Sequence, residues 1–275
     1  MEGIKPMKKN TNFSPEHFSY IKKIKRKNVS VHVLRIAILI VLLGIWELFA
    51  ETGITDPFIT SSPSRIAKTI KNLFTENNLL YHSAVTLYET FAGFLIAVTA
   101  GYVIALLLWW SETLRRILEP YIVVLNSLPK IALGPVIIVW FGAGSKAIIF
   151  MAILIGIIVA IITMLNGFLA TDKNKILLLR SMGATKFCIL LKLVVPGSLP
   201  TFISMLKISV GMAWIGSIMG EYLVSRAGLG YLIVYGGQVF KLDLVMSATV
   251  VLCVLAASMY ALVALLEKLI IKYKN

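Results

Sequence analysis

Six long apolar stretches dominate the chain and leave it few ways to fold. They run over about residues 33–50, 84–110, 120–141, 146–169, 199–222 and 243–266. A hydrocarbon core about 30 Å thick takes roughly 20 helical residues, so each stretch reads as one membrane span. In lipid every exposed backbone group must bond within its own segment, which predicts helices. Hydrophobic residues make up 58% of the 275 and charged residues only 15%. A soluble domain carries roughly a quarter charged residues, so a disordered chain and a solvated enzyme domain are both excluded. The expected fold class is an all-α membrane protein, with six transmembrane helices in one domain over 33–270.

Breakers and loops refine this. The third stretch contains Pro129, Gly134 and Pro135, which survive in lipid only where neighbours or a cavity satisfy the freed backbone. Gly142–Ser145 alone separates it from the fourth, predicting a tight hairpin. Ser61-Ser62-Pro63-Ser64 is a turn-rich stretch in which Ser62 or Ser64 caps a short helix near 64–75. Residues 171–198 read as a helix over Lys173–Met182, a stop at Gly183, a second helix, then Pro196 and Pro200. Asp172 suits the N-cap of the first piece, and Gly183 suits its end because glycine tolerates a left-handed backbone.

Charge orients the spans. Twenty-seven Lys and Arg face 13 acids, a net charge of +14. A soluble protein so basic suggests nucleic acid; in a membrane protein the excess reads as the positive-inside bias. With the N-terminus inside, the segments 1–32, 111–119, 171–198 and 267–275 hold 18 Lys or Arg, against 6 in 51–83, 142–146 and 223–242. Both termini are then cytoplasmic, and no nucleic-acid partner is expected. Residues 1–32, with Lys22, Lys23, Lys25, Arg26 and Lys27, form a basic arm suited to anionic lipid headgroups. That arm is too long for a signal-peptide n-region, and the next stretch is long enough to span, so the first helix is read as uncleaved. Residues 271–275 form a short basic tail.

Catalytic chemistry is poorly supported. The chain has no H-E-x-x-H, P-loop or G-x-S-x-G, and Cys188 and Cys253 form no C-x-x-C or Cys/His cluster. No metal and no directly bound cofactor are expected, and any ATP-driven work must come from another subunit. His17, His32 and His82 fall outside the apolar stretches, and the span-edge acids Glu47, Glu89 and Glu221 form no close sequence pair.

Polar residues inside the spans are candidates for a translocation path. Lys130 follows Pro129, with Asn126 and Ser127 a turn earlier. An ionisable residue at depth faces a cavity or the bundle interior, or snorkels to a headgroup or pairs with an acid. Asn126 and Ser127 suit either a solute or the backbone freed by Pro129. Lys207, Gly211 and Trp214 share a helical face that Ser217 and Glu221 roughly continue. That stripe lines a pathway or glues helices together. Gly216 and Gly220 form a G-x-x-x-G that favours close packing. Trp46, Trp109, Trp110 and Trp140 fall near span ends as interface anchors.

The 171–198 loop is the most informative segment. Its first helix carries Ile176, Leu177, Leu178 and Leu179 beside Lys175 and Arg180. A helix this apolar on a loop needs either the membrane interface or a protein partner. Gly183-Ala184-Thr185, with Leu193, Val195 and Pro196 following, resembles the cytoplasmic loop motif E-A-A-x-x-x-G-x9-I-x-L-P of bacterial ABC importer permeases. Leu177-Leu178-Leu179 replaces Glu-Ala-Ala. Asp56-Pro57-Phe58, Ser62-Pro63-Ser64-Arg65, Leu128-Pro129, Trp140-Phe141-Gly142, Met212-Ala213-Trp214-Ile215-Gly216 with Glu221, and Gly228-Leu229-Gly230-Tyr231-Leu232-Ile233 are similar to the nitrate/sulfonate/taurine-type permeases. The resemblance covers roughly 55–265.

The resemblance implies a type I importer permease in a bacterial cytoplasmic membrane. It implies a homodimer, a dimer of ATPase subunits holding ATP-Mg, and an extracytoplasmic solute-binding protein. It makes Leu177, Leu178, Leu179, Arg180, Ser181, Met182, Gly183, Ala184 and Pro196 the ATPase-coupling residues. Solutes of related permeases include sulfonates, taurine, nitrate, bicarbonate and vitamin precursors; Lys130 tilts the expectation towards an anion. The alternatives are a stand-alone six-helix carrier and an intramembrane enzyme.

Overall fold

The computed structural model describes residues 15–54, 60–76 and 79–271. The start of the basic arm, the Asp56-Pro57-Phe58 turn and the tail 272–275 lie outside them. Among the described residues every regular element is helical. In chain order they are α1 (Pro15–Glu51), α2 (Pro63–Glu76), α3 (Leu79–Trp110), α4 (Glu112–Ser127), α5 (Gly134–Phe141), α6 (Ser145–Leu169), α7 (Lys173–Ser181), α8 (Lys186–Ile189), α9 (Leu199–Val224), α10 (Leu229–Gln238) and α11 (Leu242–Ile271).

Among the described residues five helices are long and apolar enough to cross a membrane: the Val29–Glu51 part of α1, then α3, α6, α9 and α11. The pair of α4 and the Lys130–Phe141 segment, bent by 86°, makes a sixth if the bent pair counts as one span. The bend falls where the sequence places its breakers. Leu128 precedes proline and adopts extended backbone (φ −68°, ψ 134°), because the proline ring disfavours the helical region for the residue before it. A short turn, Lys130–Leu133, leads into α5, whose first turn holds Pro135.

The chain divides into two compact units, residues 1–64 and 65–275. In the first, Glu47 near the end of α1 binds the start of α2. Its Oε2 accepts the Ser64 backbone N–H at 2.9 Å, and its Oε1 accepts the Ser64 hydroxyl at 2.6 Å and the Ser62 hydroxyl at 3.3 Å. A carboxylate from the preceding helix thus joins the serines at the start of α2. That suits the positive end of a helix better than a hydroxyl.

In the second unit α6 is the central element, held between α3 and α9 through small residues. A Cβ on Gly93 would lie 2.5 Å from the Ala152 Cβ, and one on Gly101 2.6 Å from the Ala160 Cβ. On the α9 side, a Cβ on Gly216 would collide with the Ala152 Cα, and one on Gly220 would lie 2.9 Å from the Ile148 Cα. The G-x-x-x-G of α9 is thus a packing surface, as its spacing predicts. Phe168, Met164, Met205, Leu108 and Ile189 fill the core at one end of these helices. Elsewhere Arg65 of α2 pairs with Asp243 of α11 at 2.7 Å, and Lys207 of α9 pairs with Glu267 of α11.

Candidate functional site

Two constructions stand at opposite ends of α9. The first precedes its N-terminus and is built from α7 and α8. Asp172 caps α7, its carboxylate accepting the Asn174 N–H at 2.9 Å. Gly183 ends the helix at φ +81°, a conformation that glycine adopts without strain. The observed helix, Lys173–Ser181, stops one residue short of the expected Met182. Thr185 then caps α8, accepting the Cys188 N–H at 3.3 Å.

This loop is anchored. The Lys186 ammonium donates to the Trp110 carbonyl at the end of α3. It also lies 5.7 Å and 5.3 Å from the ring centres of Trp109 and Trp110. A cation at a helix C-terminus and over an aromatic face is doubly favourable. A wide π-type turn over Leu190–Val194 precedes Pro196, relieving the clash a proline ring makes inside a regular helix.

The exposure of the loop is divided. Leu177, Leu178 and Met182 are 67%, 59% and 74% exposed, and Phe187 is 59% exposed. Ile176, Leu179 and Ala184 instead pack on the core. Leu179 therefore does not join Leu177 and Leu178 as outward-facing apolar area, which is a correction to the expectation from sequence. Consecutive residues on a helix point about 100° apart, so three in a row cannot share one face. Arg180, Ser181, Gly183 and Pro196 are exposed.

The path candidates separate. Around the bend, the Lys130 ammonium donates to the Asn126 carbonyl at 3.1 Å and the Ser127 hydroxyl to the Val123 carbonyl at 3.1 Å. Both bonds satisfy backbone groups next to the break. Asn126 and Ser127 are exposed and Lys130 is half-buried. In α9, Gly211 is exposed with open space beside it, and Lys207 is paired to Glu267. Trp214, Ser217 and Glu221 are buried. Ser217 bonds Thr90 of α3 at 2.6 Å, so that part of the stripe joins helices.

The second construction lies where α9 ends and α10 begins. Three successive backbone N–H groups at the start of α10 find side-chain acceptors on other helices. Gly228 donates to His82 Nδ1 at 3.0 Å, Leu229 to the Thr86 hydroxyl at 2.8 Å, and Gly230 to Glu221 Oε2 at 2.5 Å. A helix start leaves such donors unpaired, and burial makes each one costly. His82, Thr86 and Glu89 follow one face of α3 at i, i+4 and i+7. Glu89 is brought near Glu221, and it lines one cavity with Ser145 at the start of α6. Neither acid has a partner legible in the sequence, and His82 lies inside α3 and not before it. The Gly228–Gly230 segment, singled out only as a resemblance, is the strand of backbone these groups hold.

A polar cavity of about 280 Å³ adjoins this corner, lined by Tyr81, Glu89, Ser145, Ser225 and Arg226 among others. A second, of about 350 Å³, is lined by Asn72, His82, Tyr231, Tyr235 and Lys241 among others. In it His82 stacks on Tyr231 and Tyr231 on Tyr235, each pair with ring centres 6.0 Å apart. No group of three or more His, Cys, Asp or Glu able to hold a metal occurs among the described residues.

Comparison with known proteins places this architecture. Residues 93–272 match the family described as "Binding-protein-dependent transport system inner membrane component". A probable ABC transporter permease protein of Haemophilus influenzae is 33% identical over 221 residues, covering 80% of this chain and 89% of its own. A putative aliphatic sulfonates transport permease protein of Bacillus subtilis is 26% identical over 235 residues, covering 86% and 85%. Among solved structures, a bacterial ABC transporter involved in the import of the acidic polysaccharide alginate aligns with TM-score 0.61. It is 14% identical and covers 91% of this chain and 98% of its own, a likeness of fold alone.

Proposed function

Because the chain belongs to the binding-protein-dependent transport system inner membrane components, we propose that it is the membrane-spanning subunit of an ATP-driven importer working by alternating access. The observation that carries this is α7, a short rigid helix with Leu177, Leu178 and Met182 exposed on a loop clamped to α3 by Lys186. Apolar side chains held outward on an anchored lever are suited to a protein groove. Packed interfaces switch between discrete arrangements and do not bend continuously, so motion of a docked partner passes into α6 and α9. The partner is an ATPase dimer that binds ATP-Mg; this chain hydrolyses nothing.

The rest of the assembly follows from the same reading. The charge bias supports α7, the N-terminus and the C-terminus lying on the cytoplasmic side of a bacterial inner membrane. The basic start of α1 then meets anionic lipid. A second copy of the chain completes the path, to which Lys130, Asn126, Ser127 and Gly211 contribute. A solute-binding protein delivers cargo to the opposite face, where α10 lies. The solute is a small sulfonate-, taurine- or nitrate-like anion or a vitamin precursor. The relative named for aliphatic sulfonates and the half-buried Lys130 favour the anion.

The test is copurification. Tagged chain co-expressed with the ATPase encoded beside it should retain that ATPase in detergent, and a Leu177→Asp, Leu178→Asp double variant should lose it. Both positions are exposed, so the variant should still fold. Wild-type chain that is stable, binds solute tightly and holds no ATPase would point to a stand-alone carrier.

A further inference from the structure

The transport cycle outlined above makes no use of the two carboxyl groups buried beside α10. Glu89 and Glu221 are each 1% exposed, and their side chains lie close together where the Thr90–Ser217 hydroxyl bond holds α3 against α9. Two carboxylates only accept; they can bond each other only through a proton carried by one of them. Glu89 Oε2 and Glu221 Oε1 are also the carboxyl oxygens left buried without a partner among the described residues. A single proton turns one of these acceptors into a donor.

The charge balance selects one proton over none or two. Glu221 accepts the Gly230 N–H at the start of α10, and Glu89 lines one cavity with Ser145 at the start of α6. Each helix N-terminus carries about half a positive charge. Together they match a pair bearing one negative charge. Two ionised carboxylates would leave a buried excess, and two neutral acids would leave both helix ends uncompensated.

We infer that Glu89 and Glu221 form a proton-binding site, holding one proton between them, which fastens the start of α10 to α3 and α9. The polar cavity lined by Glu89, with exposed Tyr81 and Arg226 at its edge, gives the proton a way to exchange with solvent at that end. The other titratable groups nearby are His82 of α3, which accepts from Gly228, Tyr222 beside Glu221, and exposed Lys146 next to Ser145. On the orientation proposed above, that solvent is extracytoplasmic. The proton site itself stands whether or not the chain imports solute.

The experiment is infrared difference spectroscopy on purified full-length chain in lipid, wild type against Glu89→Gln. At neutral pH the wild type should show the carbonyl stretch of a protonated carboxylic acid, shifted in heavy water. Glu89→Gln should lose it, since the introduced amide supplies the donor and leaves Glu221 ionised. A Glu47→Gln control should keep the band. Wild type with no such band overturns the inference even if the variant does not fold, as does a band that persists unchanged in Glu89→Gln. A wild type with no band whose unfolding temperature rises with sodium would put a cation in the proton's place, which also overturns it. None of these outcomes depends on nucleotide or solute, so failure here is distinguishable from failure of the importer assignment.

Discussion

The carboxyl group of Glu221 dictates what can stand opposite it. A Cβ on Gly228 would lie 2.5 Å from Glu221 Oε2, and Gly228 itself has φ +112°. Gly228→Ala should therefore destabilise the protein by more than the roughly 1–2 kcal/mol a left-handed backbone costs an L-residue. A lowered melting temperature in detergent would register it; an unchanged one would mean that α10 does not start against Glu221. Thr86→Val keeps the shape of the side chain but strands the Leu229 N–H. It should cost about 1–3 kcal/mol, read the same way. Little of this is legible in the sequence. Glu89 and Glu221 each read as a lone acid at a span edge, because apolar runs say where helices lie and not which faces meet. Polar residues before the apolar run at 84 make His82 look like part of a loop, yet α3 begins at Leu79.

Elements whose ends are set by their own neighbours are the readable ones. Asp172, Gly183 and the Pro129 break act through chemistry within a few residues, and all three do in the structure what their positions imply. The hold of Glu47 on the start of α2 escapes a sequence reading because it comes from another helix. The turning of Leu179 towards the core escapes it for a related reason: a nine-residue helix fixes angles between side chains, not the direction of its face. Gly183→Ala tests the element as a lever. Nothing lies within 4 Å of a Cβ at that position, so only backbone strain acts, about 1–2 kcal/mol confined to the loop. Global melting should change little, while solute-stimulated ATP hydrolysis by the assembled complex should fall several-fold. Equal loss of melting temperature and coupling would instead make Gly183 part of the folding core.

At the scale of the molecule, the apolar stretches and the charge bias are visible along the sequence, since both are sums over many residues and tolerate local error. The small-residue packing of α6 between α3 and α9 is visible only on the α9 side, where Gly216 and Gly220 stand in register. Gly93 and Gly101 of α3 are twice that distance apart, and their partners Ala152 and Ala160 are ordinary small residues in an apolar run. Orientation is the property that charge decides and helix packing does not. Ala143 lies in the exposed link between α5 and α6, and Asn174 is exposed on α7. In a background with Cys188→Ser and Cys253→Ser, a membrane-impermeant maleimide applied to intact cells should label Ala143→Cys. It should label Asn174→Cys only after the membrane is opened. The bias of 18 basic residues against 6 requires that order, because loops rich in Lys and Arg resist translocation. Labelling of Asn174→Cys in intact cells would invert the molecule. It would place α7 where no ATPase can reach it, and the importer assignment would fall with the orientation.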